Sequence, residues 1–312
     1  MKAVLHYRAS PGFRASLAAL ADELAIVVVD EDSPDFGREI ADAEVLLHVL
    51  KPVTRDMIAG APRLRLIQKI GVGVNTIDLD AAREHGVAVA NMPGTNSQAV
   101  AELALGLMIS VLRRIPALDA LTKEAAQWAP EPALLDTMGE IGGRTVGFLG
   151  FGEVPRRIAP AVAALGGRVL FHDPAAKDQT IGQPVDLDTL FAESDILSLH
   201  VPLTDGTREI VDAGRLAAMR PGAIVINTAR GELIDEAALH AALANGRLRG
   251  AGLDVFAAEP VRADNVLLTL PQVVATPHLA WLTPETLARS MAVARENCRR
   301  IAAGEALLHR VA

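Results

Sequence analysis

The sequence predicts an α/β protein built from two doubly wound parallel-sheet domains, and three observations carry that prediction. Short aliphatic runs alternate with helical patterns along most of the 312 residues. Half of the residues are hydrophobic but only 3% are aromatic. The cores must therefore be made of Ala, Val, Leu and Ile, as is usual where helices cover both faces of a parallel sheet. The length suits two domains of ordinary size, each with its own core.

In the first ninety residues, strands are expected at 3–6, 26–29, 45–49, 66–70 and 87–90, with helices at 14–24, 34–43, 54–59 and 79–85. Pro93-Gly94 then punctuates the chain. Residues 96–114 give the strongest helical pattern, apolar around most of its circumference and so buried on several sides. The stretch 115–143 is interrupted by Pro116, Pro130 and Pro132, carries the isolated Trp128 and closes on Gly142-Gly143. It reads as an extended arm.

The alternation restarts at Thr145, with strands expected at 145–149, 168–172, 195–200, 223–227, 252–255 and 273–276 and helices at 153–165, 187–192, 213–218 and 236–244. A last helix, 284–303, follows the sixth strand and has no place left in that sheet. It is expected to cross back, which makes one domain discontinuous (residues 1–93 and 284–312) around a second (residues 94–283).

The net charge of −8 gives no electrostatic reason to bind nucleic acid, whose affinity comes mostly from Lys and Arg on phosphates. Cys298 is the only cysteine, so no intrachain disulfide can form, and a reducing cytoplasm is the simplest setting. The N-terminus reads as a strand rather than a signal peptide. The longest apolar stretch, 103–112, is too short to cross a bilayer and is bounded by Glu102 and Arg113. A soluble, cytoplasmic protein without membrane partners is expected.

Thr145-Val-Gly-Phe-Leu-Gly150-Phe-Gly152-Glu153-Val154-Pro155 is a strand running into a helix through a glycine turn. Gly150 permits the bend, Gly152 lets the backbone approach a pyrophosphate, and the helix N-terminus at Glu153 and Val154 supplies oriented N–H groups. Asp173, 23 residues beyond Gly150, stands at the end of the next strand. A carboxylate there accepts ribose hydroxyls and repels a 2′-phosphate, which favours NAD over NADP. The nearest cation is Lys177. Pro155 replaces the third glycine of the fingerprint and should disturb helix placement more than phosphate binding.

Three further tracts place a charged or titratable group at a strand end: Asn227-Thr-Ala-Arg230-Gly, Leu253-Asp-Val-Phe-Ala-Ala-Glu259-Pro and Ala275-Thr-Pro-His278. Singly, each group has an ordinary structural explanation; together, at successive strand ends, they can converge on one crevice. An arginine clamps a carboxylate through a planar fork, which suits Arg230 to a 2-oxo acid. His278 can protonate the oxygen that a hydride transfer leaves charged. Glu259 would hold the ring and favour its cationic form.

With these tracts in view, the chain resembles the D-isomer-specific 2-hydroxyacid dehydrogenases over nearly its full length. Beyond the glycine loop, the matching tracts include Gly71-Val-Gly-Val-Asn-Thr-Ile-Asp, Asn91-Met-Pro-Gly, Val100-Ala-Glu, His200-Val-Pro-Leu-Thr204, Met219-Arg-Pro-Gly-Ala and Ala229-Arg-Gly-Glu-Leu-Ile-Asp-Glu. The resemblance implies a Rossmann NAD-binding domain with a smaller flavodoxin-like substrate domain, and Arg230, Glu259 and His278 as the catalytic triad. Glu259, where formate-specific relatives have glutamine, points to an oxo-acid reductase. Backbone amides around Val72 and Gly73 would contact the substrate carboxylate, and Asp254 the nicotinamide carboxamide. His200, Pro202 and Thr204 would line the cofactor site, with Thr228 and Ala229 beside them and Thr95 near the nicotinamide.

The resemblance further implies a homodimer joined through the nucleotide domain. Lys69 occupies a position where phosphoglycerate-oxidising relatives carry a basic residue; it would hold a distal phosphate or carboxylate, or be a solvated lysine. Trp281 would narrow the pocket or stack on substrate. Two alternatives keep the fold: an NADH-sensing corepressor-like binding protein, and a dehydrogenase for a non-carboxylate such as phosphite. No metal is implied.

Overall fold

In a computed structural model of the chain, the structure describes residues 1–18, 24–124, 128–176 and 181–312. Two compact units are present: Met1–Asn96 with Leu282–Ala312, and Ser97–Trp281.

The first unit opens with strands and helices in alternation: β1 (Lys2–His6), α1 (Pro11–Ala18), β2 (Ala25–Val29), α2 (Phe36–Ile40), β3 (Val45–His48), α3 (Arg55–Ala59), β4 (Leu66–Lys69), α4 (Leu79–Glu84) and β5 (Ala88–Ala90). The sheet order is β2-β1-β3-β4-β5 and every pairing is parallel, the flavodoxin-like arrangement. Val4, Leu46, Ile67 and Val89 fill one face with Ile40, Ile58 and Ala81 of the covering helices. Helix α1 begins three residues before the expected 14–24 span, because Ser10 Oγ accepts the Phe13 N–H and Pro11 suits a first turn. Residues 19–23 of that expected span lie outside the described residues.

The second unit follows in the same βα manner. It contains α5 (Ser97–Arg113), α6 (Ile115–Glu124), α7 (Pro132–Leu135), β6 (Thr145–Leu149), α8 (Glu153–Ala164), β7 (Arg168–His172), β8 (Gln183–Pro184), α9 (Leu187–Glu193), β9 (Ile196–Leu199), α10 (Ala213–Ala218), β10 (Ala223–Asn227), α11 (Glu236–Ala244), β11 (Leu248–Leu253) and β12 (Val273–Ala275). Its seven parallel strands run β12-β11-β10-β9-β6-β7-β8. Counted from β6, that is the doubly wound 3-2-1-4-5-6 order with one strand added. The seventh strand, absent from the sequence reading, is the two-residue β8; its Pro184 is tolerated because β8 is a sheet edge.

The stretch 115–143 departs from the extended arm expected of it. Pro116 sits in the first turn of α6, where its missing N–H had no helical partner, so it starts a ten-residue helix instead of breaking one. Arg114, at φ 54°, makes the corner between α5 and α6. Pro132 likewise opens the single turn of α7. Residues 125–127 lie outside the described residues.

The last helix, α12 (Pro284–Ala303), belongs to the first unit, and its own sequence specifies both ends. Thr283 Oγ1 accepts the Thr286 N–H, Pro284 occupies the first turn, and Gly304 closes the helix in the left-handed region at φ 70°. Buried Asn297 docks it: its Nδ2 donates to Gln68 Oε1 of β4 at 2.6 Å and its Oδ1 accepts the Leu308 N–H at 2.8 Å. No helix among the described residues is long and apolar enough to cross a membrane.

Candidate active site

The C-terminal ends of adjacent strands β10, β11 and β12 assemble the candidate catalytic group within the second unit. Asn227, the last residue of β10 and fully buried, folds the turn that follows. Its Oδ1 accepts the Ala229 N–H at 3.0 Å, and its Nδ2 donates to the Arg230 carbonyl at 2.8 Å. Gly231 then lets this turn lie against the next segment. A Cβ there would fall 1.9 Å from the Phe256 carbonyl carbon, so no other residue fits. Arg230 is brought in this way beside the segment that carries Glu259.

Glu259 uses both carboxylate oxygens. Oε1 accepts the Phe256 N–H at 3.0 Å, and Oε2 lies 2.6 Å from His278 Nδ1. Burial would raise its pKa, but the His278 hydrogen bond and charge, the Phe256 amide and the Arg230 charge outweigh burial and hold the carboxyl below its ordinary range. Burial also lowers the Arg230 guanidinium, while Glu259 and Glu232 oppose that shift. A guanidinium starts so far above neutrality that Arg230 stays cationic. The arrangement is a fixed cation, an imidazole and an ionised carboxylate on one sheet edge.

His278 owes its placement to Asp254, at the start of the segment after β11. Asp254 is fully buried and raised by that burial, against hydrogen bonds from Thr276 Oγ1 at 2.5 Å and the Ala280 and Leu279 amides, each at 2.9 Å. Its carbonyl accepts the His278 N–H at 2.7 Å. These bonds hold His278 in the left-handed region, at φ 55°. Trp281 is 7% exposed and its indole N–H donates to the His278 carbonyl at 3.1 Å. That indole N–H therefore braces the turn that carries His278.

The residues read as a dinucleotide cradle lie around β6 and α8. Gly150 has φ 88°, and a Cβ on it would lie 2.7 Å from the His200 carbonyl oxygen. Gly152 caps α8 with open space where a Cβ would stand, and Glu153 and Val154 form the first turn behind it. Pro155 is buried in that turn and the helix continues regularly through it. Asp173 ties the loop down: Oδ2 accepts the Phe151 N–H and Oδ1 the Ala175 N–H, both at 2.8 Å. A carboxylate can still accept further bonds from ribose hydroxyls. Lys177 lies outside the described residues.

Across β9, His200 Nε2 pairs with Ser198 Oγ at 2.8 Å, and burial pushes this imidazole down to about 3, so it is neutral. The loop beyond it is closed by Thr207, whose hydroxyl donates to the Pro202 carbonyl at 2.7 Å and accepts the Thr204 N–H at 2.8 Å. Thr228 Oγ1 is buried with no hydrogen-bond partner among the described residues. An orphaned hydroxyl, an open helix N-terminus and a glycine pinched against a backbone carbonyl together fit a dinucleotide.

Lys69, Val72, Gly73 and Thr95 belong to the first unit. The solvated alternative for Lys69 does not hold: it is 6% exposed, and its ammonium donates to the Val49 carbonyl. Register places His6, His48 and Lys69 side by side at the C-terminal ends of β1, β3 and β4. Burial, followed by the Lys69 charge, pushes His48 down to about 3, and burial lowers His6. The neighbouring loop is fixed through its carbonyls, Gly71 O to the Met92 N–H at 2.8 Å and Val72 O to Asn91 Nδ2 at 2.9 Å. Thr95 Oγ1 donates to the Met92 carbonyl at 3.1 Å.

Comparison with known proteins identifies the family. The model of the D-isomer specific 2-hydroxyacid dehydrogenase NAD binding domain matches residues 105–280. The chain belongs to the D-isomer specific 2-hydroxyacid dehydrogenase family. It is 39% identical over 272 residues to a hydroxypyruvate reductase of Thermotoga maritima, covering 86% of this chain and 88% of that one. It is 42% identical over 253 residues to an (S)-sulfolactate dehydrogenase of Chromohalobacter salexigens, covering 80% and 81%. A crystal structure of the TT0316 protein from Thermus thermophilus superposes with a TM-score of 0.90 at 34% identity, over all of both chains. Mycobacterium tuberculosis D-3-phosphoglycerate dehydrogenase matches at 39% identity over 298 residues, 93% of this chain, but the chain spans only about half, 55%, of its length.

Three supports of this site are not evident in the sequence. Asn227 stands in the tract that carries Arg230 with no role of its own to read, Ser198 has no motif around it, and Thr276 reads only as a neighbour of His278. Thr276 bonds Asp254, which only the fold brings beside it, while Asn227 and Ser198 bond residues two or three positions on. The signal available is a polar side chain inside an otherwise aliphatic strand end, which must find a partner once buried.

Proposed function

We propose that the chain is an NAD-dependent dehydrogenase interconverting small 2-oxo acids and D-2-hydroxy acids. The observation that carries this reading is the 2.6 Å pairing of His278 Nδ1 with Glu259 Oε2, with Arg230 close enough for its charge to act on Glu259. Arg230 would clamp the substrate carboxylate with its fork, backbone amides of Val72 and Gly73 assisting. With Nδ1 committed to Glu259, His278 would present Nε2 to the carbonyl oxygen and deliver the proton that completes reduction. Bound nicotinamide supplies the hydride. Asp173 would favour NAD, while Gly150, Gly152, Glu153 and Val154 receive the pyrophosphate. His200, Pro202 and Thr204, with Thr228 and Ala229, would wall the adenosine-to-nicotinamide path, and Thr95 and Asp254 the nicotinamide end.

On this reading the smaller unit is the substrate domain, and Lys69 is its means of favouring a substrate with a second anionic group. Relatives named for hydroxypyruvate and for sulfolactate bracket the neutral and charged alternatives. A homodimer joined through the NAD-binding unit is supported by large apolar side chains left exposed between α5 and α7: Ile109, Ile115, Leu135 and Trp128, the last 93% exposed. A cytoplasmic location suits the single, buried Cys298.

The test is NADH oxidation against hydroxypyruvate, glyoxylate, pyruvate, 3-sulfopyruvate and 3-phosphohydroxypyruvate, with the chirality of the product determined. Turnover giving the D-configured alcohol at the former carbonyl carbon supports the assignment. Absence of turnover across the set, with NADH bound, rejects it.

A further inference from the structure

The N-terminal edge of the seven-stranded sheet, opposite the glycine loop, gathers guanidinium groups of which only one, Arg220, is paired with a carboxylate among the described residues. Arg144 immediately precedes β6, Arg220 stands three residues before β10, Arg249 is the second residue of β11, and Arg114 follows α5. The pairing of β10 with β11 slips by one residue here: Ala223 faces Leu248, but Ile224 faces Gly250. Arg249 is the extra residue, and an irregularity of this kind re-aims the side chain it carries.

Arg249 is turned toward the loop 137–140, where two other arginines already point. Arg114 Nε donates to Thr137 Oγ1 at 3.2 Å, Arg249 Nη1 to the Met138 carbonyl at 3.4 Å, and Arg144 Nε to the Glu140 carbonyl at 2.7 Å. A Cβ built on Gly139 would lie 2.6 Å from Arg144 Nη2 and 2.9 Å from Arg249 Nη1, so two guanidinium ends converge on one point. Their acceptors are neutral, and among the described residues none of Arg114, Arg144 and Arg249 makes an ion pair. Of the nearby carboxylates, Asp195 is shared between Arg220 Nη1 at 3.2 Å and the Thr145 N–H at 2.8 Å, while Asp136 and Glu140 on the same loop make no ion pair with these arginines among the described residues. Burial, and then the charges of Arg144 and Arg114, lower the Arg249 guanidinium against the opposing pull of Asp195.

Half-buried like charges repel, and in a chain of net charge −8 such a gathering runs against the average field. We propose that Arg114, Arg144 and Arg249 form a binding site for a small multivalent oxyanion, a phosphate or phosphate ester, seated over Gly139. Planar forks converging on one point suit the tetrahedral oxygens of phosphate. The site is separate from the candidate catalytic group and does not rest on the dehydrogenase reading.

Titration calorimetry with inorganic phosphate tests it, on the full chain saturated with NADH, against sodium chloride at matched ionic strength. Native protein should bind phosphate with heat that chloride does not reproduce. Arg249→Met and Arg144→Met should each weaken binding by about tenfold or more, while NADH affinity, followed by fluorescence, stays unchanged. Equal phosphate binding by native chain and both variants would mean an adventitious ion only, and no heat beyond chloride would mean no site; either result overturns the proposal. If light scattering instead shows Arg249→Met dissociating an assembly that phosphate does not affect, the arginines serve a second copy's carboxylates and the proposal is also overturned. Should Arg249→Met fail to fold, Arg144→Met and Arg114→Met decide alone.

Discussion

His278 and Glu259 stand 19 positions apart in the chain and meet at 2.6 Å between Nδ1 and Oε2. The contact depends on backbone set elsewhere: the left-handed His278, the Asp254 carbonyl beneath it and the Phe256 amide behind Glu259. A neutral amide cannot offer the imidazolium the same charge. Glu259→Gln should therefore lower kcat for 2-oxo acid reduction by about ten- to a hundredfold, with a smaller change in KM for NADH. Steady-state kinetics checks this. A carboxyl whose folded pKa is depressed stabilises the fold fully above its ordinary value of 4.5 and loses that contribution as pH falls through the lower folded value. Melting curves below about pH 5 should accordingly show a shallower acid loss for Glu259→Gln than for the native chain.

On the proposed reading, Arg230→Ala removes the substrate clamp while leaving His278 and Glu259 in place. The expected cost is about 2–4 kcal/mol in kcat/KM for the oxo acid, roughly thirty- to a thousandfold. Arg230→Lys should recover little of it, because a point charge does not reproduce a fork. NADH binding, read by fluorescence, should move by less than about threefold in either variant.

Asp254 holds the turn that carries His278 by accepting one hydroxyl and two amide hydrogens on its two oxygens. Asp254→Asn turns one acceptor into a donor facing donors. Stability should fall by about 1–3 kcal/mol for each buried bond left unmade. Chemical denaturation measures that loss, and kcat should fall with it because His278 is no longer fixed.

His48 is a buried neutral histidine, pushed down to about 3 from an ordinary value of 6.5. Unfolding at mildly acidic pH lets it take up a proton, so its contribution is full above 6.5 and is lost as pH falls toward 3. His48→Gln should reduce proton uptake on unfolding at about pH 5 by about one, measured from the slope of stability against pH. Activity at neutral pH should change less than stability at acid pH.

Legibility in the sequence followed the reach of the interactions. The strands of both sheets other than β8 could be read from their aliphatic runs, although β11 begins at Leu248, four residues before the start expected of it, and α8, α10, α11 and α12 kept almost the expected bounds because capping and periodicity are local. Thr283, Pro284 and Gly304 mark both ends of α12 in plain sequence. Proline misleads where it is taken as a breaker: Pro116 and Pro132 open helices, and the missing N–H costs nothing in a first turn. The two-residue β8 is too short for any periodicity to show.

Arg230, Glu259 and His278 were legible as a group because each follows an apolar run, where a strand end can be inferred. Their supports were not. Asn227 acts on a turn it also terminates, Gly231 is required by Phe256 some 25 positions away, and Trp281 braces His278 through the main chain. Lys69 is the sharpest case: a lysine at a strand end looks solvated, and only the Val49 carbonyl over it shows otherwise.

The most direct measurement is the rate of NADH oxidation at saturating 2-oxo acid by native protein and His278→Ala, with the NADH dissociation constant determined on the same samples. If His278 carries the proton, turnover falls by about a hundredfold or more while NADH affinity stays within about twofold. Turnover retained within a few-fold, or lost only because NADH no longer binds, would contradict the account.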